Sequence, residues 1–227
     1  MNIAILGTGM VGQTLAAALV AKGHQVTIGT RDVAATLARR EPNGYGMPGF
    51  GVWHEAHSNI SLATFSQAAT NAELLINATN GIGALEALAL TGADSLGQKI
   101  LIDVANDLDA SHGLPPRVSI VDEPGSGLGE RIQAAYPNLR VVKTLNTLSA
   151  PVMLSPQSLP IESTLFMSGN DAQAKQIVHG LLESFGWRDV IDLGDIATSR
   201  ATEFLLPVWL RLWGALGSAN INFKIVR

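Results

Sequence analysis

The 227-residue chain contains no cysteine, so it can form no disulfide, no thiolate nucleophile and no cysteine-ligated metal centre. That absence fits a cytoplasmic setting. Aromatic residues make up only 5% of the chain and charged residues 15%, with a formal net charge of −4. Without a basic excess there is nothing to hold nucleic acid or an anionic membrane, and neither is expected as a partner. Long hydrophobic runs are also missing. The N-terminal run is broken by Gly7, Gly9 and Gly12 and lacks the basic leader of a secretory signal. The segment Phe204 to Leu216 is interrupted by Pro207 and Arg211 and falls short of the roughly 20 apolar residues a membrane span needs. The length allows one sizeable core, or a domain with a smaller appendage.

Against these absences the first thirty residues stand out. An apolar run from Ile3 to Leu6 leads into Gly7-x-Gly9-x-x-Gly12. Val11, Leu15 and Leu19 then recur at helical spacing, Lys22-Gly23 ends the helix, and Val26 to Ile28 reads as a second strand. A glycine triplet between a strand and a helix is the setting in which this spacing carries meaning. Gly7 supplies a backbone conformation closed to other residues, Gly9 lets the main chain approach a pyrophosphate, and Gly12 lets helix and strand pack closely. The free N–H groups at the helix start then face the phosphates. The expected pyrophosphate site is therefore Gly7, Thr8, Gly9, Met10, Val11 and Gly12. Gly44-Tyr-Gly46-Met-Pro-Gly49 has the same spacing, but no strand precedes it and Pro48 lies within it, so it reads as a loop.

The end of the second strand selects the cofactor. NAD sites usually place Asp or Glu about 20 residues past the first glycine, on the ribose hydroxyls. Here the stretch is Thr27-Ile28-Gly29-Thr30-Arg31, and Asp32 comes only after the arginine. A guanidinium binds a 2′-phosphate through paired charge-assisted hydrogen bonds, and the Thr30 hydroxyl is placed to help. The expectation is NADP(H), held by Thr30 and Arg31. Arg39 and Arg40 add positive charge nearby, although sequence neighbours cannot share one helix face.

Strand and helix patterns alternate along the rest of the chain. Val33 to Arg40 reads as a short helix, 42–59 as a long irregular segment rich in glycine and aromatics, and Ile60 to Thr64 as a strand. Leu74 to Ala78, Lys99 to Val104 and Arg140 to Leu145 are continuous apolar runs, as expected of parallel strands buried on both faces. Helical stretches near 83–91 and 127–135 lie between them. Farther on come a strand from Thr164 to Met167, then a helix with Ala174, Ile177, Val178, Leu181, Leu182 and Phe185 on its core side. Asn170 or Asp171 suits its N-cap and Gly186 its C′ position. A strand from Val190 to Leu193 and a long last helix follow, with Arg200, Glu203, Pro207 and Arg211 forming a narrow polar stripe on an otherwise buried, apolar surface. Pro207 is expected to kink this helix.

The implied architecture is α/β: a Rossmann-type doubly wound parallel sheet with a small C-terminal α/β extension. Ligands bind beyond the carboxyl ends of such strands. The segments there are Asn77-Ala78-Thr79-Asn80-Gly81, Ala105-Asn106-Asp107 and Asn146-Thr147-Leu148-Ser149-Ala150, rich in small and amide side chains. Ala78, Thr79, Asn80, Ala105, Asn106 and Ala150 are thus candidates to line the nicotinamide ribose pocket. Turn chemistry alone would favour the same residue types.

At this point the chain resembles the coenzyme F420-dependent NADP oxidoreductases and their bacterial relatives. The resemblance rests on Gly7 to Gly12, Gly29-Thr-Arg-Asp32, Gly129-Glu-Arg-Ile-Gln133, Val141-Val-Lys-Thr-Leu-Asn-Thr147, Ser168-Gly-Asn-Asp171, Asp192-Leu-Gly-Asp195 and Arg200-Ala-Thr-Glu203. It implies a dinucleotide-binding domain over 1–147 and a small C-terminal α/β domain over 148–227 that completes the substrate cleft, where a deazaflavin stacks near the nicotinamide. It also implies a homodimer. The aromatic 42–59 segment departs from the simpler members and could reshape that cleft.

The reaction expected is hydride transfer between NADPH and a flat acceptor, a deazaflavin (coenzyme F420) or a flavin. It needs two rings held face to face more than it needs a side-chain acid. Asn146 and Thr147 are the candidates for orienting the ring amides. Two alternatives are an NADPH-dependent reductase of a small imine or carbonyl metabolite, for which no convincing proton donor is evident, and an NADP-binding sensor that turns nothing over. No metal is expected: His54-Glu-Ala-His57 lacks the spacing that puts two ligands and a base on one helix face. Ser126 lies in Gly-Ser-Gly without a preceding strand, and His24, His112 and His179 read as solvated imidazoles.

Overall fold

A computed structural model describes residues 1–42, 46–109, 111, 116–118 and 123–227. The chain divides into two compact units, one of residues 1–79 and 83–99, the other of residues 80–82 and 100–227.

The first unit alternates strand and helix: β1 (Asn2–Leu6), α1 (Met10–Ala21), β2 (Gln25–Thr30), α2 (Val33–Leu37), α3 (Phe50–Glu55), β3 (Ser61–Thr64), α4 (Phe65–Thr70), β4 (Leu74–Asn77), α5 (Ala84–Thr91) and α6 (Ala93–Leu96). Its four strands are all parallel, in the order β4-β1-β2-β3. The register sets Leu6 beside both Gly29 and Asn77, which brings the carboxyl ends of three strands level. All four residues of β4 are buried, as are the last four of β1, which is why these strands read as unbroken apolar runs. The helix starts follow their local chemistry. Asp32 caps α2 by accepting from the Ala35 N–H at 2.9 Å, and Thr64 and Gln67 form a reciprocal capping box on α4. Gly23, at φ +84°, turns the chain out of α1.

The 42–59 segment is not irregular throughout. Residues 50–55 form α3, seated tightly against the end of α2: a Cβ on Gly51 would lie 2.1 Å from the Leu37 carbonyl oxygen, and one on Gly49 2.4 Å from that of Arg39. Tertiary packing of Phe50, which is buried, outweighs the glycine-rich composition. Gly46, Met47, Pro48 and Gly49 are loop, as their spacing without a strand implied, while Gly44 lies outside the described residues.

The second unit contains β5 (Ile100–Asp103), β6 (Leu108–Asp109), β7 (Arg117–Val118), α7 (Leu128–Ala135), β8 (Arg140–Thr144), α8 (Ala150–Leu154), β9 (Thr164–Gly169), α9 (Ala172–Phe185), β10 (Asp189–Asp192) and α10 (Ser199–Leu216). β6 and β7 form a small antiparallel pair. The others run β5-β8-β9-β10, with β5 and β8 parallel, β9 antiparallel to β8, and β10 parallel to β9. The fold is of the Rossmann-type α/β class, as the alternation predicts, with β9 reversed within a mostly parallel pattern. Strand direction has no signature in an apolar run, so the reversal could not be read from composition.

Asp171 caps α9 through the Ala174 N–H at 2.6 Å, and Gly186 closes it at φ +102°. Ile177 is a correction: it is 40% exposed rather than in the core. α10 corrects a second expectation. The helix spans Pro207, and its buried side carries Glu203, expected in a polar stripe, with Thr202, Leu206, Trp209 and Leu210. Phe204, Val208, Leu212 and Leu216 are exposed, as is Arg211, so apolar residues lie on both sides of the helix and the expected polar stripe runs from the buried Glu203 to the exposed Arg211. No helix among the described residues is long and apolar enough to cross a membrane.

Candidate functional site

The glycine turn between β1 and α1 gives each glycine a distinct physical role. Gly7 has φ +124°, and a Cβ there would strike the Ala78 carbonyl oxygen at 2.5 Å. A Cβ on Gly12 would lie 2.3 Å from the Gly7 carbonyl oxygen, so only glycine lets α1 pack this close to the turn. Gly9 is different. Its backbone is extended, and nothing in the protein lies within 4 Å of where a Cβ would be. The protein itself does not require glycine at position 9, whereas a ligand approaching the main chain does. No side chain caps α1 and no acidic residue stands in its first turn, which leaves its leading N–H groups for an anion. Thr8 and Val11 are half-buried and Met10 exposed at this turn; the Thr8 carbonyl accepts from Gln13 Nε2 at 2.9 Å. The residues fit a dinucleotide pyrophosphate.

At the end of β2, Arg31 is exposed and makes a loose 3.5 Å contact with Glu86. Asp32 is engaged as the α2 cap. The Thr30 hydroxyl, expected beside Arg31, is instead buried and shares a 2.7 Å hydrogen bond with the Thr36 hydroxyl. Its place inside the fold follows from strand alternation, which points Thr30 and Arg31 to opposite faces. The two arginines after α2 diverge. Arg40 forms two bonds with the Glu55 carboxylate, at 2.5 and 3.0 Å. Arg39 reaches back to the glycine turn and donates to Thr8 Oγ1 at 2.7 Å.

Beyond β4, Asn77 is fully buried and its Oδ1 accepts from both the N–H and the hydroxyl of Thr79, which shapes the turn through Ala78. In the second unit, Asn80 donates to the Leu108 carbonyl at 3.2 Å, and Gly81 N–H to the Asn106 carbonyl at 2.9 Å. Asn106 and Asn146 are brought together: Asn106 Nδ2 donates to the Asn146 carbonyl at 2.8 Å and Asn146 Nδ2 to Asn106 Oδ1 at 3.0 Å. Ala105, Asn146, Thr147 and Ala150 are all buried. Leu145, at φ +62°, is the sole non-glycine residue with positive φ among those described, and it directly precedes Asn146.

Sequence reasoning missed what lies beneath this pair. Lys143 is completely buried, with its Nζ 2.8 Å from Asp103 Oδ2, 2.5 Å from the Ala105 carbonyl and 3.1 Å from Glu203 Oε1. Burial opposes its charge, but Asp103 and Glu203 outweigh that cost and hold its pKa above the ordinary lysine value. Glu203 also accepts the N–H groups of Leu128 and Gly129 at 2.9 and 3.2 Å, at the start of α7. A lysine in the middle of an apolar strand was the available signal. Asp107, one residue past Asn106, pairs with Arg131 and keeps one buried oxygen, Oδ1, without a hydrogen-bond partner. Burial pushes its carboxyl pKa up, and Arg131 offsets this only in part.

The histidines of 54–57 serve structure: His54 donates to the Ile60 carbonyl and His57 to that of Trp53, each at 2.8 Å. Among the described residues no cluster of three or more His, Cys, Asp or Glu could hold a metal ion; His112 lies outside them.

The family model for the coenzyme F420-dependent NADP oxidoreductases matches residues 2–107. The F420-dependent NADP reductase of Methanothermobacter marburgensis is 25% identical over 215 residues, 93% of this chain and 92% of that protein. The rat metalloreductase STEAP3 is 25% identical over 214 residues; the match takes in 92% of this chain but only 38% of that longer protein. A crystal structure of a candidate F420-dependent NADP reductase from Arthrobacter sp. FB24 superposes with a TM-score of 0.93, at 54% identity over 100% of both chains.

Proposed function

Since the chain belongs to the coenzyme F420-dependent NADP oxidoreductase family, and is an NADP-dependent oxidoreductase of that kind, we propose that it exchanges a hydride between NADP(H) and a deazaflavin, coenzyme F420, or a flavin-like ring. The observation that carries the cofactor half of this reading is Gly9: a glycine the protein does not need, at an uncapped helix start that follows β1, whose last residue, Leu6, pairs with Gly29 two residues before Arg31.

In this reading Gly7 to Gly12 bind the pyrophosphate through main-chain N–H groups, and Arg31 binds the 2′-phosphate while Thr30 fixes the strand end. Ala78, Thr79, Asn80, Ala105, Asn106 and Ala150 line the path toward the nicotinamide. Asn146 and Thr147 orient its amide, with Asn146 braced by Asn106 and both braced by Lys143 through the Ala105 carbonyl. The nicotinamide supplies or takes up the hydride. Residues 1–147 carry the dinucleotide and residues 148–227 complete the cleft for the second substrate. The protein acts as a cytoplasmic homodimer on a small molecule, without nucleic acid or membrane partners.

Mixing the protein with NADPH and oxidised coenzyme F420, and following the absorbance of the deazaflavin, tests the acceptor. Bleaching is expected; none at high enzyme concentration removes the deazaflavin. A second reading, reduction of a small imine or carbonyl, draws support from Asp107, whose raised pKa and unpartnered oxygen provide the proton-holding group that the sequence alone lacked. Turnover with imines but not with deazaflavin or flavin would select it.

A further inference from the structure

Arg39 stands beside the glycine turn of the first unit. Its guanidinium carbon lies 5.6 Å from the centroid of the buried Phe50 ring, and its Nη2 donates to Thr8 Oγ1 at 2.7 Å. Three carboxylates of the first unit are committed elsewhere: Glu55 to Arg40, Asp32 to the α2 start and Glu86 to Arg31; Glu41, two residues along the chain, makes no ion pair with Arg39. Among the described residues Arg39 has no acidic partner. A guanidinium carries five N–H donors and no acceptor, and here only one donor is used within the protein.

The seat under Arg39 is built by the segment that looked irregular in the sequence. Gly51 N–H donates to the Arg39 carbonyl at 3.0 Å, and Gly49 and Gly51 bring α3 into backbone contact with residues 37–40. Phe50 is thereby fixed beneath the guanidinium, where a ring face favours a cation. Arg40, locked to Glu55 at the far end of α3, keeps that carboxylate away from Arg39.

Thr8 belongs to the glycine turn, and Gly7 N–H is bonded to the Gly29 carbonyl at 3.2 Å, so Thr8 stands beside the end of β2 where Thr30 and Arg31 emerge. Arg39 and Thr8 thus present donors beside the end of β2, from which Arg31 emerges. Donors without acceptors suit a phosphate and disfavour a bare ribose hydroxyl pair, which needs a carboxylate.

We propose that Arg39, carried on the α3 support, is a second specificity-determining residue for the 2′-phosphate of NADP(H), acting with Arg31. The aromatic insert then serves cofactor choice in this chain. This rests on the reading of the glycine turn as an NADP site. The experiment is a fluorescence titration of NADPH and NADH against the wild type, Arg39→Ala, Arg39→Lys and Phe50→Leu, with melting curves for each. Wild type should prefer NADPH. Arg39→Ala should weaken NADPH about 10- to 100-fold, the effect of losing one charge-assisted contact, and leave NADH within about twofold. Arg39→Lys should recover part of the loss, and Phe50→Leu should reduce NADPH affinity alone, by a smaller factor. Unchanged NADPH affinity in Arg39→Ala, or equal losses for both dinucleotides, overturns the assignment. If Arg39→Ala does not fold, equal NADPH affinity in Arg39→Lys and Phe50→Leu to that of wild type overturns it as well. A wild type that binds neither dinucleotide, or binds both equally, defeats the NADP reading itself.

Discussion

The three glycines of the turn separate two kinds of constraint that look identical in a sequence. Gly12 is demanded by the protein, since a methyl group would meet the Gly7 carbonyl oxygen at 2.3 Å. Gly12→Ala should lower stability by about 1–3 kcal/mol in denaturant melts as well as abolish NADPH binding. Gly9 has open space around it. Gly9→Ala should leave the melting behaviour of the free protein within about 1 kcal/mol of wild type, yet weaken NADPH binding at least about tenfold by titration. Equal affinity would mean that no ligand approaches that main chain. The spacing of these residues, and the lack of an acid at the end of β2, were legible because each depends on its neighbours in the chain. Arg39 was legible only as positive charge near that site: its partner, Thr8, is 31 residues away, and only the fold brings them together.

Elements were legible where burial is uniform and obscure where tertiary contacts override composition. β1, β4 and β5 read correctly because both faces are buried. α3 was hidden by its glycines, which turn out to be the means of its close docking rather than signs of disorder. In α10, Glu203 reads by its spacing as part of a narrow polar stripe, and its carboxylate is in fact buried against Lys143 and the start of α7. Glu203→Gln removes one counter-charge from a buried cation and should cost about 3–5 kcal/mol in chemical denaturation. The β9–β10 edge provides a pH test. Thr164, at 2.6 Å, and then Lys224, at 2.9 Å, hold the Asp189 carboxyl below its usual pKa. The stabilisation is therefore complete above the unfolded carboxylate value of about 3.9 and disappears as pH falls through the lower, folded value. The exchange protection of Ile225, whose N–H donates to Thr164 Oγ1 at 2.9 Å, should fall relative to the intrinsic rate only in that acidic range.

For the molecule as a whole, a ligand that binds only the folded chain raises its unfolding midpoint. Saturation at about 100 times the dissociation constant contributes about 2.7 kcal/mol, which is several degrees for a chain of this length. NADPH should produce that shift in a thermal melt and NADH much less; the reverse order would assign the first unit to NAD. The class of fold and the nature of the cofactor were readable because they depend on local rules repeated along the chain. What the second substrate is depends on side chains that converge from distant segments, and no spacing rule records them.

The junction of Lys143 with Glu203 has a consequence for how the protein is made. A chain emerging from the ribosome presents β5 and β8 well before α10. Until residue 203 is free to fold back, Lys143 has only one of its two counter-ions, and enclosing it is unfavourable. Vectorial folding can therefore complete the first unit early, whereas the second must remain open until its last helix arrives.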